Sequence, residues 1–410
     1  MPAFDFTPLL APDLPPPAAK FNGFPRYNFV GGHNDPAQIP VDALTAAATS
    51  VLKREGRTLA TYGMQSGPLG YRPLREFLSA KMKRHAGITC SPDDILITNG
   101  SLQGLDLVNG ILLAPGDTVL IERDTYGGAL TRLSRLKVNT VGVPLDDEGL
   151  IPEALEKALS DLKAKGVKPK YIYTIPTVQN PTGAIMSEAR RAAILKIAEA
   201  HGVPIFEDEC YSDLVWANAR PPALYAMTKT DNVIHIGSFS KSIAPAFRIG
   251  YIVARPDLLS RMQALKTDGG SGALDQMVLA EFCQAHFHDH VPKLSKALRG
   301  KLETLMESLS ERFGTAAEFG DPPGGIFLWI KLPDVVDTVK LGQVALAEGV
   351  ALNPGPEWST DKARAKCRLR LCFANPDHDT IRAGVAKLAE ICQREFGVPL
   401  RSANIETART

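Results

Sequence analysis

The stretch Ser238-Phe-Ser-Lys241-Ser-Ile-Ala-Pro-Ala-Phe-Arg248-Ile-Gly-Tyr251 directly follows the apolar run Val233-Ile-His-Ile-Gly237. Such a run predicts a buried strand, so Lys241 lies just beyond the end of that strand. A lysine flanked by small hydroxyls and followed by an arginine suits Schiff-base chemistry. Its amine can condense with an aldehyde while the serines and the arginine hold a phosphate. A lone lysine in such a loop is more often a surface residue, so the interpretation depends on the rest of the chain.

Four more apolar runs, separated by segments with apolar residues at helical spacing, precede this one. The predicted strands cover residues 94–98, 118–122, 171–175 and 203–207, and residues 187–201 form one of the predicted helices. Alternation of strands and helices predicts an α/β fold, with a mostly parallel sheet covered by helices on both faces.

Polar, Gly-rich segments follow four of the predicted strands. They are Asn99-Gly-Ser101, Asn180-Pro-Thr-Gly183, Asp208-Glu-Cys-Tyr211 and Ser238-Phe-Ser-Lys241. In open α/β sheets, ligands bind outside the carboxyl ends of the strands. We therefore expect these four loops to form one site.

The pattern changes near Pro292. A charged helix is predicted over residues 292–313, followed by the apolar runs 325–330 and 369–373 and a last helix over residues 379–396. We interpret residues 41–290 as a large cofactor-binding domain. Residues 1–40 and 291–410 form a smaller α+β domain that includes a Pro-rich N-terminal arm, and the last dozen residues are expected to be peripheral.

The motif S-F-S-K-x-x-x-P-x-x-R-x-G-Y resembles the class I/II aminotransferases, which are fold-type-I pyridoxal-phosphate enzymes. The resemblance extends from about residue 27 to residue 396 and is closest to the branch of aminoadipate and kynurenine aminotransferases and the enzyme-like domains of some bacterial regulators. It implies that Lys241 forms a Schiff base with pyridoxal 5'-phosphate and shuttles a proton at the substrate α-carbon. An L-amino acid would give its amino group to the cofactor, and a 2-oxo acid would collect it.

Four predicted catalytic or cofactor residues are expected to contact the pyridine ring. A carboxylate at the end of an apolar strand, Asp208, can pair with the ring nitrogen and keep it protonated, although Glu209 is equally available by position. The resemblance implies that Tyr211 and Asn180 hydrogen-bond the phenolic oxygen of the ring, and that Tyr126 stacks on its face. Asn180 is also expected to contact substrate.

The remaining predicted cofactor residues surround the phosphate. Backbone N–H groups at the start of a helix after residue 98 form an anion site, which resembles the family's T-x-G-S-x-Q turn. The predicted phosphate-binding residues are Gly100, Ser101, Leu102, Gln103, Ser238, Ser240 and Arg248. The resemblance adds Tyr62, which would reach the phosphate of a neighbouring subunit in a homodimer, although the loop after Tyr62 is a few residues longer than usual.

Substrate binding is expected at two segments. Arg370 matches the arginine that clamps the substrate α-carboxylate in a bidentate pair, which fixes the substrate over the ring. Arg368 lies on the same face of the predicted strand, so it remains an alternative. The segment Gly31-Gly-His-Asn-Asp-Pro36 resembles the one that closes over substrate, which makes Gly32 a candidate contact.

Composition argues against several classes of protein. The 46 basic and 45 acidic residues leave a net charge of +1, which disfavours nucleic acid or an anionic membrane as partner. No apolar run approaches the roughly 18 residues of a membrane helix, and the N-terminus does not resemble a signal helix. Six scattered cysteines fit reduced thiols. We expect a cytoplasmic protein without a metal, and a solvated helix end at His286-Phe-His-Asp-His290.

Two other functions fit parts of the same pattern. A pyridoxal-phosphate carbon-sulfur β-lyase shares every cofactor residue and would release pyruvate and ammonia without an acceptor. The effector domain of a transcription regulator needs a preceding helix-turn-helix module, whereas about 26 Pro-rich residues precede the resemblance. The aminotransferase is therefore the function that the sequence favours.

Overall fold

The computed structural model describes residues 3–12, 14–18, 20–216 and 220–399. The helices are α1 Val41–Glu55, α2 Arg72–Ala86, α3 Gly100–Leu112, α4 Gly127–Arg135, α5 Pro152–Ala164, α6 Glu188–His201, α7 Leu224–Met227, α8 Pro256–Leu265, α9 Ala273–Phe313, α10 Thr338–Ala347 and α11 His378–Phe396. The strands are β1 Tyr27–Asn28, β2 Ile95–Asn99, β3 Thr118–Glu122, β4 Asn139–Val143, β5 Leu145–Asp146, β6 Gly149–Leu150, β7 Ile172–Thr174, β8 Ile205–Asp208, β9 Val233–Ser238, β10 Ile249–Val253, β11 Phe327–Lys331, β12 Val350–Ala351, β13 Asn353–Pro354 and β14 Arg368–Cys372.

A seven-stranded sheet forms the centre of the fold, with the strand order β2-β10-β9-β8-β7-β3-β4. Strands β9, β8, β7, β3 and β4 pair in parallel, and only β10 runs antiparallel to its neighbours β9 and β2. Its central strands are buried on both faces, as parallel sheets covered by helices are. The predicted α/β fold with a mostly parallel sheet is therefore confirmed.

Two strands of this sheet were not predicted. Strand β10 begins directly after Arg248, within the stretch that carries the lysine motif, and returns antiparallel beside β9. Strand β4 lies at the edge of the sheet and has exposed or half-buried residues at four of its five positions. Because an edge strand needs no continuous apolar run, periodicity alone did not reveal it.

Helix α9 differs most from its prediction. It begins at Ala273 and not at Pro292, so that it contains 41 residues with the proline inside. Proline favours the first turn of a helix, which explains the predicted start. The expectation that residues 286–290 end a helix is therefore wrong, because they lie in the middle of α9.

The N-terminal segment and the C-terminal third of the chain pack together. Strand β1 pairs in parallel with β12, and β11, β14 and β13 form a separate antiparallel sheet. One apolar core contains Phe29 together with side chains from the second half of α9 onward, including Leu302 and Ile381. Side chains from the first half of α9, such as Met277 and Phe282, belong to another core with α2 and β10.

Helix α9 thus passes without a break through residues 290 and 291, and its two halves contribute to different cores. The division at that position stays a prediction. Residues 400–410, most of the tail expected to be peripheral, lie outside the described residues. No helix in the described part of the chain is long and apolar enough to cross a membrane.

Candidate active site

A cavity of about 330 Å³ opens at the carboxyl ends of the central strands, within the size range of small-molecule sites. All four polar loops singled out in the sequence reach it. Its walls are formed by Gly31, Gly32, Ser101, Leu102, Tyr126, Ile175, Asn180, Asp208, Cys210, Tyr211, Ser238, Ser240, Lys241, Pro245, Arg248, Asn353, Trp358 and Arg370.

Lys241 places its amine in this cavity. Its Nζ donates a hydrogen bond of 2.8 Å to the backbone oxygen of Gly32. A Cβ atom on Gly32 would lie 2.1 Å from Nζ, so a glycine is needed to leave room for the amine. Burial lowers the pKa of Lys241, and the positive charges of Arg370 and Arg248 lower it further. Because a lower pKa increases the neutral, nucleophilic fraction of an amine, Lys241 suits condensation with an aldehyde.

The carboxylate of Asp208 lies at the end of β8 and is buried. Its Oδ2 accepts a hydrogen bond of 2.7 Å from the Tyr173 hydroxyl, and its Oδ1 accepts one of 3.2 Å from the Cys210 backbone N–H. Burial raises the pKa of Asp208, although both hydrogen bonds favour the ionised form. A cationic ring nitrogen in the cavity would offset that cost of burial.

Glu209, the alternative by position, is engaged elsewhere. Its Oε1 accepts a hydrogen bond of 2.8 Å from the Thr177 hydroxyl, and its Oε2 lies 3.1 Å from an Nη atom of Arg220. It is also 3.5 Å from Arg191, and it does not line the cavity. Of the two candidate carboxylates, only Asp208 therefore faces the site.

Asn180 connects Tyr211 with Arg370. Its Nδ2 donates a hydrogen bond of 3.1 Å to the Tyr211 hydroxyl oxygen, and its Oδ1 accepts one of 3.0 Å from Arg370 Nη1. Because the Tyr211 oxygen is the acceptor, its own proton remains available to an acceptor in the cavity. Burial raises the pKa of Tyr211, so the phenol stays protonated near neutral pH.

Arg370 is a buried cation whose hydrogen-bond acceptors, among the described residues, are neutral oxygens. Its Nη2 donates to Asn353 Oδ1 at 2.9 Å and to the Gly31 backbone oxygen at 3.3 Å. Its guanidinium stacks 3.7 Å from the centre of the Trp358 ring, while its Nε has no partner among the described residues. Arg368, the alternative, does not line the cavity. An unpaired buried guanidinium beside a cavity suits a carboxylate ligand.

Hydroxyls, a helix start and an arginine meet at another part of the wall. The Ser238 hydroxyl accepts a hydrogen bond from the Ser240 backbone N–H at 3.1 Å and donates one to the Ser240 hydroxyl at 3.0 Å. Among the described residues no side chain caps the N-terminus of α3, so its first N–H groups beside Ser101 are available to an anion. With Arg248 in the same wall, this donor set fits a phosphate.

Three predicted cofactor residues do not line the cavity. Gly100 has φ +70°, and a Cβ there would lie 2.2 Å from Arg248 Nη2, so its role is to admit the arginine. Gln103 accepts from the backbone N–H of Asn99 at 2.8 Å and donates to Asp268 at 2.6 Å, which holds the start of α3. Tyr62 is 92% exposed and lies outside the cavity of its own chain.

Several wall or supporting residues were missed by the sequence reasoning. Tyr173 lies inside a predicted strand, where a tyrosine is usually a packing residue. Period-2 alternation, however, places it on the same face as Ile175, which lines the cavity. Asn353 and Trp358 lie in a Pro-Gly-rich segment that gave no motif. Only their contacts with Arg370 reveal them.

The histidine run in α9 shows no sign of a metal site. His290 makes a ring-nitrogen contact of 3.0 Å with the Ser242 backbone oxygen, and both His286 and His290 pack against the Phe282 ring. Across the described ranges, no group of three or more His, Cys, Asp or Glu side chains is placed to hold a metal ion.

The sequence model of aminotransferase class I and II matches residues 31–388. The chain belongs to this family. It is 32% identical to aromatic-amino-acid aminotransferase 1 of Thermococcus litoralis, over 90% of this chain and 88% of that protein. The crystal structure of α-aminoadipate aminotransferase from Thermus thermophilus, complexed with N-(5'-phosphopyridoxyl)-L-leucine, has a TM-score of 0.81 and 30% identity. That match covers 90% of this chain and 92% of the other.

The resemblance seen in the sequence is therefore confirmed, together with the fold type and the cofactor, pyridoxal phosphate. The enzyme is a pyridoxal-phosphate-dependent aminotransferase, which transfers an amino group from an amino acid to a 2-oxo acid. An uncharacterized helix-turn-helix-type regulator of Bacillus subtilis is 33% identical, but the match covers only 70% of its length. The regulator and lyase alternatives are not favoured.

A buried carboxylate of this aminotransferase, Glu122, supports the loop that carries Asn180. At the end of β3 it accepts hydrogen bonds from the Thr174 hydroxyl at 2.6 Å, the Ile175 backbone at 3.1 Å and the Gln179 amide at 2.8 Å. Burial raises the pKa of Glu122 from its usual 4.5 to about 7, against these hydrogen bonds. Between pH 4.5 and 7, Glu122 therefore keeps its proton in the folded protein but has released it in the unfolded chain.

We predict that the cofactor-free wild type loses stability relative to Glu122→Gln as pH rises from 4.5 to 7. Over this range the folded state must give up the proton on Glu122, which the unfolded chain has already released. A folded pKa raised by about 2.5 units corresponds to about 3 kcal/mol. Urea unfolding at a series of pH values measures the difference in free energy of unfolding between the two proteins. Exposed Glu311→Gln is the control and should stay within about 0.5 kcal/mol of the wild type throughout. A pH-independent difference for Glu122→Gln would contradict the prediction.

Proposed function

We propose that Lys241 is the residue that carries pyridoxal phosphate in this aminotransferase and moves the proton at the substrate α-carbon. The proposal is carried by the position of the Lys241 amine. It lies in one cavity with the buried Asp208 carboxylate and with the hydroxyl, backbone and arginine donors that suit a phosphate. When bound, the cofactor supplies an aldehyde and a ring that withdraws electrons from the α-carbon. The protein supplies the groups that hold, orient and protonate.

Asp208, Tyr211 and Asn180 hold the ring in this proposal. Asp208 pairs with the ring nitrogen and favours its protonated form, because a buried carboxylate gains most from a cationic partner. Tyr211 donates its free proton to the phenolic oxygen, and Asn180 uses its second amide hydrogen for the same atom. Tyr126, which also lines the cavity, covers the ring face.

Ser101, Ser238, Ser240 and Arg248 hold the phosphate, together with the first N–H groups of α3. This set combines hydroxyl donors, backbone donors and one cation, which is a usual combination for a phosphate monoester. Arg248 is exposed in the single chain, so a second subunit can cover it. The phosphate is the part of the site that the described chain leaves most open.

Arg370 binds the α-carboxylate of the amino acid and of the 2-oxo acid. Its partners are all neutral, so a carboxylate would be its first anionic partner among the described residues. The backbone of Gly31 and Gly32 lies next to both Arg370 and Lys241. An amine and a carboxylate clamp held by neighbouring residues support binding of one amino acid by both groups.

We also propose that the enzyme is a cytoplasmic homodimer. All six cysteines are free, which suits a reducing compartment. Tyr62 is almost fully exposed in a Gly-rich loop, where an aromatic side chain gains by burial against another subunit. In this arrangement Tyr62 of one chain completes the phosphate pocket beside Arg248 of the other.

Lys241→Ala is expected to abolish turnover and leave the fold intact, because no other lysine among the described residues lines the cavity. Borohydride reduction of the loaded wild-type enzyme, followed by peptide mapping, should place the pyridoxyl group on Lys241. Lys296→Ala, on an exposed face of α9, is the control and should keep both label and activity. A pyridoxyl group on another lysine would refute the assignment.

Arg370→Ala is expected to weaken amino acids far more than the corresponding decarboxylated amines, since only the former present an α-carboxylate. Loss of one buried, charge-assisted pair should cost about 2–5 kcal/mol of binding. Spectral titration of the loaded enzyme with both ligand types gives the two dissociation constants. Arg368→Ala is the matched control on the same strand. Equal losses for amino acid and amine, or a larger selective loss for Arg368→Ala, would contradict the clamp.

Mixing Lys241→Ala with Tyr62→Ala is expected to restore activity that both parents lack. If Tyr62 serves the partner's site, a mixed dimer has one site with both defects and one with neither. Activity should rise with the mixed-dimer fraction, which native mass spectrometry measures after subunit exchange. A mixture that exchanges without gaining activity would show that Tyr62 acts in its own chain. A fully active Tyr62→Ala parent would show that it has no role.

A further inference from the structure

Tyr173 makes the shortest contact of the Asp208 carboxylate. Its hydroxyl donates a 2.7 Å hydrogen bond to Asp208 Oδ2, from the neighbouring strand β7. The other carboxylate oxygen receives the Cys210 backbone N–H at 3.2 Å. Among the described residues no cation forms an ion pair with Asp208, and the Tyr173 hydroxyl is the largest of the contributions that favour its charged form against burial.

Packing fixes where the Tyr173 hydroxyl points. The side chain is 1% exposed, and its ring meets Phe206 edge-on at 5.6 Å. Burial raises the pKa of Tyr173 well above its usual value, so the phenol remains a proton donor. A buried donor that cannot turn away holds its acceptor in one orientation. A residue that does not contact the ligand can in this way position one that does.

We propose that Tyr173 is a positioning residue that keeps Asp208 ionised and aimed at the cofactor ring nitrogen. The inference rests on the proposed role of Asp208. A hydrogen bond to a charged acceptor is stronger than one between neutral groups, so its loss makes the carboxylate harder to ionise. Tyr173 thereby acts on the ring nitrogen without touching the cofactor.

Tyr171 offers a matched control two residues away. It is 2% exposed, meets the same Phe206 ring edge-on at 5.7 Å, and donates a 2.7 Å hydrogen bond. Its acceptor, however, is Asn109 Oδ1, which does not line the cavity. Tyr171→Phe and Tyr173→Phe therefore remove equivalent hydroxyls from equivalent surroundings and differ in the acceptor.

The test compares two probes, pyridoxal phosphate and its 1-deaza analogue, in which a C–H replaces the ring nitrogen. Cofactor-free wild type, Tyr173→Phe and Tyr171→Phe are titrated with each probe, and equilibrium dialysis gives the dissociation constants. Tyr173→Phe should weaken pyridoxal phosphate about ten-fold or more, as expected for a hydrogen bond to a charged group. Binding of the 1-deaza analogue should not weaken, and Tyr171→Phe should not change the ratio of the two constants.

A Tyr173→Phe variant that weakens both probes equally would show a structural role only, and one that weakens neither would show no role. Asp208→Asn separates this inference from the proposal beneath it. If Asp208→Asn leaves the preference for pyridoxal phosphate over the analogue intact, the proposed role of Asp208 fails. If Asp208→Asn removes that preference while Tyr173→Phe leaves it unchanged, only the role of Tyr173 is overturned.

Discussion

Arg370 is buried without a counter-ion in the part of the chain that the structure describes, and this is the constraint on which the site depends. A guanidinium taken out of water is costly unless hydrogen bonds and charge compensate it. Here amide and carbonyl oxygens from Asn180, Asn353 and Gly31 satisfy its two Nη atoms, and Trp358 covers its face. The described residues therefore give the Arg370 guanidinium hydrogen bonds but no negative charge. This is the physical basis of the proposal that Arg370 binds a substrate carboxylate.

The same cation influences the chemistry at the centre of the cavity. Burial lowers the pKa of Lys241, and the positive charges of Arg370 and Arg248 contribute to that shift. Asp208 lies at another wall and is stabilised by neutral donors from Tyr173 and Cys210. The cavity therefore has positive groups where a carboxylate and a phosphate would bind, and a negative group where a ring nitrogen would bind. Such a preformed charge distribution would favour one orientation of a zwitterionic ligand.

The sequence predicted the sheet and most of the cavity wall because both depend on short-range patterns. Apolar runs mark buried strands, and polar loops after them mark one edge of a parallel sheet. Contacts between distant segments could not be read in the same way. The side chain of Gln103 turns to Asp268, and Asn353 meets Arg370, only because loops far apart in the chain are brought together. The start of α9 was missed because Pro292 resembled a helix start.

The difference between Asp208 and Glu209 shows how a local rule decides which carboxylate faces the cavity once the fold is known. Glu207, Asp208 and Glu209 are consecutive at the end of β8, where successive side chains point to opposite faces. Asp208 takes the cavity face. Glu207 and Glu209 take the other face, where His235 contacts Glu207 at 2.9 Å and Arg191 lies within 3.9 Å of both carboxylates. The sequence contains three carboxylates in a row, but the fold supplies cations to two of them. The third, Asp208, has no ion pair among the described residues, which is why we propose that it pairs with a cationic group of the cofactor.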